Sequence, residues 1–163
     1  MLLRYNGISW GETMNKPIMS ILAVVFLLVG CASMQELSND VMQQRKSETA
    51  GVTRFYPIPA DQAWEISRAV FCWEKVDGVE EHREENYLIT STGMKMVAFG
   101  SVMGVWIEPV DSAGTKITVL TKRRVAKDTF TKLNDTTFFE RFEQGLKIVQ
   151  EGGKLPVVPP EKQ

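Results

Sequence analysis

Residues 51–153 predict an α+β fold, an antiparallel sheet of about four or five strands packed against two helices. Three observations carry that expectation. Short β-branched and aromatic runs are separated by glycine-containing turns, which is how antiparallel strands read in a sequence. Two longer stretches repeat apolar residues at helical spacing instead, one after the first strand and one after the last. The order that results is β-α-β-β-β-β-α, and about 100 residues suffice for one modest core.

The chain opens with residues 1–13, where Tyr5 to Thr13 is mixed and contains Glu12. This is expected to be an upstream extension, with translation starting at Met14. Residues 14–30 then have the proportions of a secretory signal: Lys16 as the charge, the apolar run Ile18 to Val29 with Ser20 its only polar residue, and the small residue Gly30. The run is too short to span a bilayer, which takes roughly 20 apolar residues.

Residues 31–50 are rich in Gln, Glu, Ser, Asn and Asp, with few apolar side chains to offset the entropy of ordering them. The expectation is a polar tether, with a transient helix near Asn39 to Lys46, that lifts the domain off its membrane.

Val52-Thr53-Arg54-Phe55-Tyr56-Pro57-Ile58 reads as a strand, with Pro57 at an edge or at its exit. Pro59-Ala60-Asp61 opens a helix, the acid lying where the helix dipole favours it. Ala63, Ile66, Ser67, Val70 and Phe71 form its stripe, flanked by Trp64, and the helix runs to Trp73 or Lys75. Asp77-Gly78 marks a turn. Val79 to Arg83 and Tyr87 to Thr92 make two strands, and Val97 to Pro109 contains a third, strongest at Val102 to Ile107.

After the turn at Ala113-Gly114, Lys116 to Val125 is a long strand. Ile117, Val119 and Thr121 take one face of it and Thr118, Leu120 and Lys122 the other. Asp135-Thr136-Thr137 opens a last helix, where Thr137-x-x-Glu140 matches a capping box. Its stripe is Phe138, Phe142, Gly145, Leu146 and Val149, with Gly145 expected to let it approach the sheet closely. Gly152-Gly153 ends the helix, and the prolines of 154–163 keep the tail extended.

Leu28-Val29-Gly30-Cys31, at the end of the apolar run, resembles the bacterial lipobox. The resemblance implies diacylglycerol on the Cys31 thiol, signal cleavage between Gly30 and Cys31, and acylation of the new amino terminus. A thiolate suits that alkylation, and several chains are needed because a single one anchors only marginally. The alternative is an ordinary signal peptide, or a membrane anchor, with an incidental cysteine. In the lipoproteins this resembles, the residue after the cysteine biases sorting. Ala32, in place of an aspartate, implies the outer membrane, facing the periplasm.

The element order, together with Tyr56-Pro57-Ile58-Pro59-Ala60-Asp61-Gln62-Ala63-Trp64 and Gly104-Val105-Trp106-Ile107, resembles the helix-grip domain of the BamC family of outer-membrane lipoproteins. The resemblance covers about 51–153 and implies a curved sheet gripped by its helices. BamC proteins carry two such domains where this chain has room for one, so a role in β-barrel assembly does not carry over.

Chemistry is sparse. His82 is the single histidine, whereas a zinc site usually takes three or four ligands. With Cys31 lipidated, Cys72 is the remaining thiol and reads as a small semi-buried hydrophobe. Glu80 to Glu85 around His82 reads either as an acid/base pair or as the solvated face of a hairpin. Alternation of strand faces supports the hairpin, since it puts Glu80 with His82 and Glu81 with Arg83. From Met14 onward the Gly-x-Ser-x-Gly elbow is absent.

Neither a cofactor nor a metal is expected, and nucleic acid is not an expected partner at a formal net charge of −1 with 24% charged residues. Lys122-Arg123-Arg124, with Lys116, Lys127 and Lys132 nearby, is a basic cluster that suits anionic headgroups or an acidic partner, or simply keeps a strand end soluble. Met94, Met96, Phe99 and Met103 lie in a glycine- and methionine-rich stretch that reads as an apolar lip over the sheet, or as a bent strand whose methionines fill the core. Together these features predict a non-enzymatic envelope lipoprotein that binds another envelope protein. The alternative is a carrier holding a lipid or peptide between sheet and helix.

Overall fold

Alternating apolar residues on strands and helical stripes on either side of them organise the computed structural model, which describes residues 35–46, 50–93, 100–110, 114–125, 127 and 133–160. The strands are β1 (Val52–Tyr56), β2 (Gly78–His82), β3 (Tyr87–Thr92), β4 (Ser101–Val110) and β5 (Gly114–Arg123). The helices are α1 (residues 35–45), α2 (Ala60–Trp73) and α3 (Asp135–Gln150), with a 3-10 turn at Arg83–Glu85. The sheet is antiparallel throughout, in the order β1-β5-β4-β3-β2. The α+β class and the order β-α-β-β-β-β-α over 51–153 are as the sequence predicts. Met34–Gln163 forms one compact unit.

One face of the sheet packs on α2 and α3. Met103, Val105 and Ile107 of β4, Ile117 and Val119 of β5 and Leu88 of β3 meet Ile66, Val70 and Phe71 of α2. Phe138, Phe139 and Phe142 of α3 complete this layer. Tyr56 joins it from β1, its ring 4.8 Å from that of Phe142.

Two expectations about α3 are corrected. Its cap is Asn134, whose side chain accepts from the backbone N–H of Thr137, rather than a box built on Thr137. Asn134 sits in an extended conformation one residue before the helix, which is where a capping acceptor reaches the third N–H. Gly145 faces α2 and the tail rather than the sheet: a Cβ there would lie 2.9 Å from Ile66 Cγ2 and 3.4 Å from Leu155 Cδ2.

The expected tether differs most. Within 31–50, residues 35–45 are helical and bury Leu37 and Val41 against Ile89, Val102, Trp106 and Leu120 on the second face of the sheet. The physical reason lies in the strands. Alternation puts Val102, Trp106 and Leu120 on the face away from α2 and α3, and apolar side chains there need a cover. Leu37 and Val41, one helical turn apart, supply it.

Trp106, 6% exposed, is central to this second layer. A Cβ at Gly104 would lie 2.4 Å from Cη2 of Trp106 and 3.1 Å from Cγ1 of Val41, so the absent side chain lets the indole lie across β4 under α1. Trp106→Ala is therefore expected to destabilise the protein by about 3–5 kcal/mol in chemical denaturation. A chain beginning at Gly51 is expected to lose roughly 3–6 kcal/mol, the burial of two aliphatic side chains. Equal midpoints with and without α1 would show that the second layer contributes nothing.

Candidate functional site

α1 carries Leu37, Val41 and Arg45 at successive i, i+4 positions, a stripe that ends in a charge. Arg45 sits over the Trp106 ring, its guanidinium carbon 5.3 Å from the centroid. Its Nη2 donates to Glu108 Oε2 at 2.8 Å, and Lys116 Nζ lies 2.9 Å from the same oxygen. Nearer the start of α1, Asp40 accepts from Lys122 Nζ. These two latches fix the direction of the helix. Glu108 pairs in register with Lys116 and Ser101 with Arg123, so the start of α1 lies toward the Arg123 end of the sheet and its finish toward the Glu108 end. Exposed ion pairs contribute about 0–1 kcal/mol each, so the apolar stripe holds α1 and the charges orient it.

At the Arg123 end, Thr121, Lys122, Arg123, Asn134 and Asp135 line an open depression of about 390 Å³. Lys122, Arg123 and Arg124 follow one another out of β5, and Lys127 is exposed beyond them. Arg124 donates its backbone N–H to Gly100 at the entry to β4, which closes this end of the sheet. Asp135 accepts from the Thr121 hydroxyl. Burial pushes its carboxyl above the ordinary value of 3.8, while Thr121, backbone N–H groups and Arg123 pull the other way.

Two further polar clusters lie on the surface, on either side of β2. His82 stacks on Tyr87, with ring centroids 4.3 Å apart, and its Nδ1 lies 3.3 Å from Glu85 Oε2 and its Nε2 3.7 Å from Glu80 Oε2. On the opposite face of β2, Glu81 accepts from Trp64 Nε1 at 3.0 Å and pairs with Arg68. Arg83 covers the Trp64 ring at 4.7 Å. Glu80 with His82 and Glu81 with Arg83 thus take opposite sides, Arg83 from the 3-10 turn that follows β2, and the cluster seals Trp64 against solvent. Cys72 is exposed on α2, its Sγ 3.8 Å from the carbonyl oxygen of Val157.

Gly30, Cys31, Met94, Met96 and Phe99 lie outside the described residues. Met103 is 1% exposed and fills the layer beneath α2 and α3, so it presents no lip. Among the described residues no group of three metal-ligating side chains is close enough to hold an ion, and no helix is long and apolar enough to cross a membrane. The stripe of α1 and its latches are the functional-site residues that the sequence reading missed. The signal for them was the apolar second face of β4. No protein-family model matches the chain, and no curated protein matches it either.

Asp135 generates a pH prediction. A carboxyl with a raised folded pKa holds its proton over a range where the unfolded chain has released it. Stability then falls as pH rises from about 3.8 through the folded pKa. Asp135→Asn removes that contribution, so its stability relative to wild type is expected to improve as pH climbs through this window. Parallel stability–pH curves for the two proteins would show that Asp135 is not the source.

Proposed function

We propose that this chain is a non-enzymatic lipoprotein of a bacterial envelope, an interaction or assembly-accessory module held by acyl chains on Cys31 at the outer membrane, facing the periplasm. The observation that carries this reading is the order Lys16, Ile18 to Val29, Leu28-Val29-Gly30-Cys31, followed within a few residues by a compact unit. The antiparallel sheet packed against α2 and α3 supports the resemblance to the BamC-type domain, to which α1 is an addition.

Protein binding, rather than carriage of a lipid, is supported by how the layers are filled. Phe71, Phe138, Phe139 and Phe142 occupy the space between sheet and helices where a carried ligand would sit, and α1 covers the other face. Among the described residues, the β1 edge is one apolar surface left open. β1 has β5 as its single neighbour, and Phe55 is 68% and Val52 42% exposed. The opposite edge, β2, carries Glu80 and Glu81, charges that discourage pairing with another strand. β1 has Arg54 alone, and Arg54 is turned onto the Phe139 ring and Glu143. An extended segment of a second protein fits such an edge.

Cys31→Ser is expected to abolish palmitate labelling and release the protein from the membrane fraction. Labelling that survives would remove the anchor assignment. Phe55→Glu is expected to weaken recovery of a cross-linked envelope partner by at least about tenfold, while moving stability by no more than about 0.5 kcal/mol as for other surface changes. Undiminished recovery would exclude the β1 edge.

A further inference from the structure

We infer that the segment that adds to β1 is acidic on one of its two faces, with its carboxylate side chains on the α1 side of the sheet, beside Phe55 and Lys116. This rests on the edge reading proposed above and adds the chemistry of the partner to it.

Alternation along β1 decides which side chains a new strand would meet. Arg54 and Tyr56 turn to the α3 side, Arg54 over the Phe139 ring at 4.5 Å and Tyr56 against the Phe142 ring at 4.8 Å. Thr53 and Phe55 therefore take the α1 side, where the Thr53 hydroxyl lies 3.0 Å from that of Thr118. Phe55 pairs in register with Lys116, and Lys116 with Glu108, so the three form one row across β1, β5 and β4 on that side. A strand added to β1 lengthens this row by one residue. That residue lies about 9.6 Å from β5, twice the spacing of neighbouring strands. A glutamate there and the long stem of Lys116 span the distance between them, with the Phe55 ring beneath.

The charge of the row calls for an acid. Glu108 is shared, with Arg45 Nη2 and Lys116 Nζ at 2.8 and 2.9 Å from the same oxygen. One carboxylate thus serves two cations, and the buried Nε of Arg45 has no acceptor among the described residues. The α3 side is balanced, since Arg54 there meets Glu143, one charge against one. Among the described residues, the ion pairs flanking β1 therefore hold three cations against two carboxylates, and the uncompensated charge is on the α1 side. A carboxylate opposite Phe55 gives Lys116 a partner of its own, and a lysine there would face a like charge. A match of this kind selects among partners more than it tightens binding. The backbone N–H and C=O groups of the β1 edge accept any extended chain, so the choice of partner falls to the side chains.

Short fluorescein-labelled peptides, titrated with the whole protein in a neutral detergent and followed by anisotropy, test this. One peptide alternates glutamate with valine and one alternates lysine with valine. A third alternates glutamate with proline, which removes the N–H groups that a ladder needs. The glutamate–valine peptide is expected to bind at least about five-fold more tightly than the lysine–valine peptide, the scale of a favourable cross-strand charge pair. Added salt should narrow the gap. Lys116→Gln should bring the two peptides toward parity, whereas Arg54→Gln should leave them apart. Equal binding of the two peptides to the wild-type protein overturns the acidic preference and leaves edge addition standing. A gap that survives Lys116→Gln and closes in Arg54→Gln puts the acid on the α3 side and overturns the inference as well. Binding of the proline peptide as tight as that of the glutamate–valine peptide, or no binding of any of the three, overturns edge addition itself.

Discussion

An indole lying over a glycine decides the shape of this protein. With no Cβ at Gly104, the Trp106 ring lies across β4, and its outer surface becomes the platform on which α1 rests. Large aromatics bury more area than any other side chain, so a platform of this kind left in water would be costly. Leu37 and Val41 cover it, and Arg45 extends the cover at the ring's edge through its cation–π contact. Asp40 and Arg45 contribute less energy than the stripe but remove its ambiguity. Two helical residues a turn apart could dock in either direction, and pairing one with Lys122 and the other with Glu108 leaves a single direction satisfied.

Most of the fold could be read from residues 51–153 because each element there states itself locally. The strands alternate, the helices repeat at 3.6 residues, and the turns carry glycine. Thr121 and Lys122 fall on opposite faces of β5, as period-two alternation requires, one bonded to Asp135 of α3 and the other to Asp40 of α1. Phe139 was missed as a core residue because it lies beside the stripe of Phe138 and Phe142. Arg54 folds over it and completes its burial from β1, a contact between distant parts of the chain.

α1 was legible only from its partner. By composition alone residues 31–50 are too polar to order themselves, and that inference is sound for an isolated segment. What overrides it is the demand from the other side. A sheet whose two faces are both apolar needs two covers, and α2 and α3 supply only one. Val102, Trp106 and Leu120 sit on the face that the two recognised helices leave bare. Met103 of the candidate lip is a similar case. Met103 belongs to β4 and follows its alternation into the core, so its place follows from the strand register and not from the composition of the stretch around it.

Docking of α1 changes what an anchor at Cys31 means. A cysteine joined to its domain by twenty flexible residues fixes a location and nothing else, because the linker samples orientations freely. α1, by contrast, is part of the core, and a pull on it is a pull on the packing of Trp106. Partner binding at β1 would feel that coupling, because β1 lies beside β5, and β5 carries Leu120 and Lys122, two of the residues that hold α1. β5 therefore lies between the open edge of β1 and the strands that carry the platform for α1.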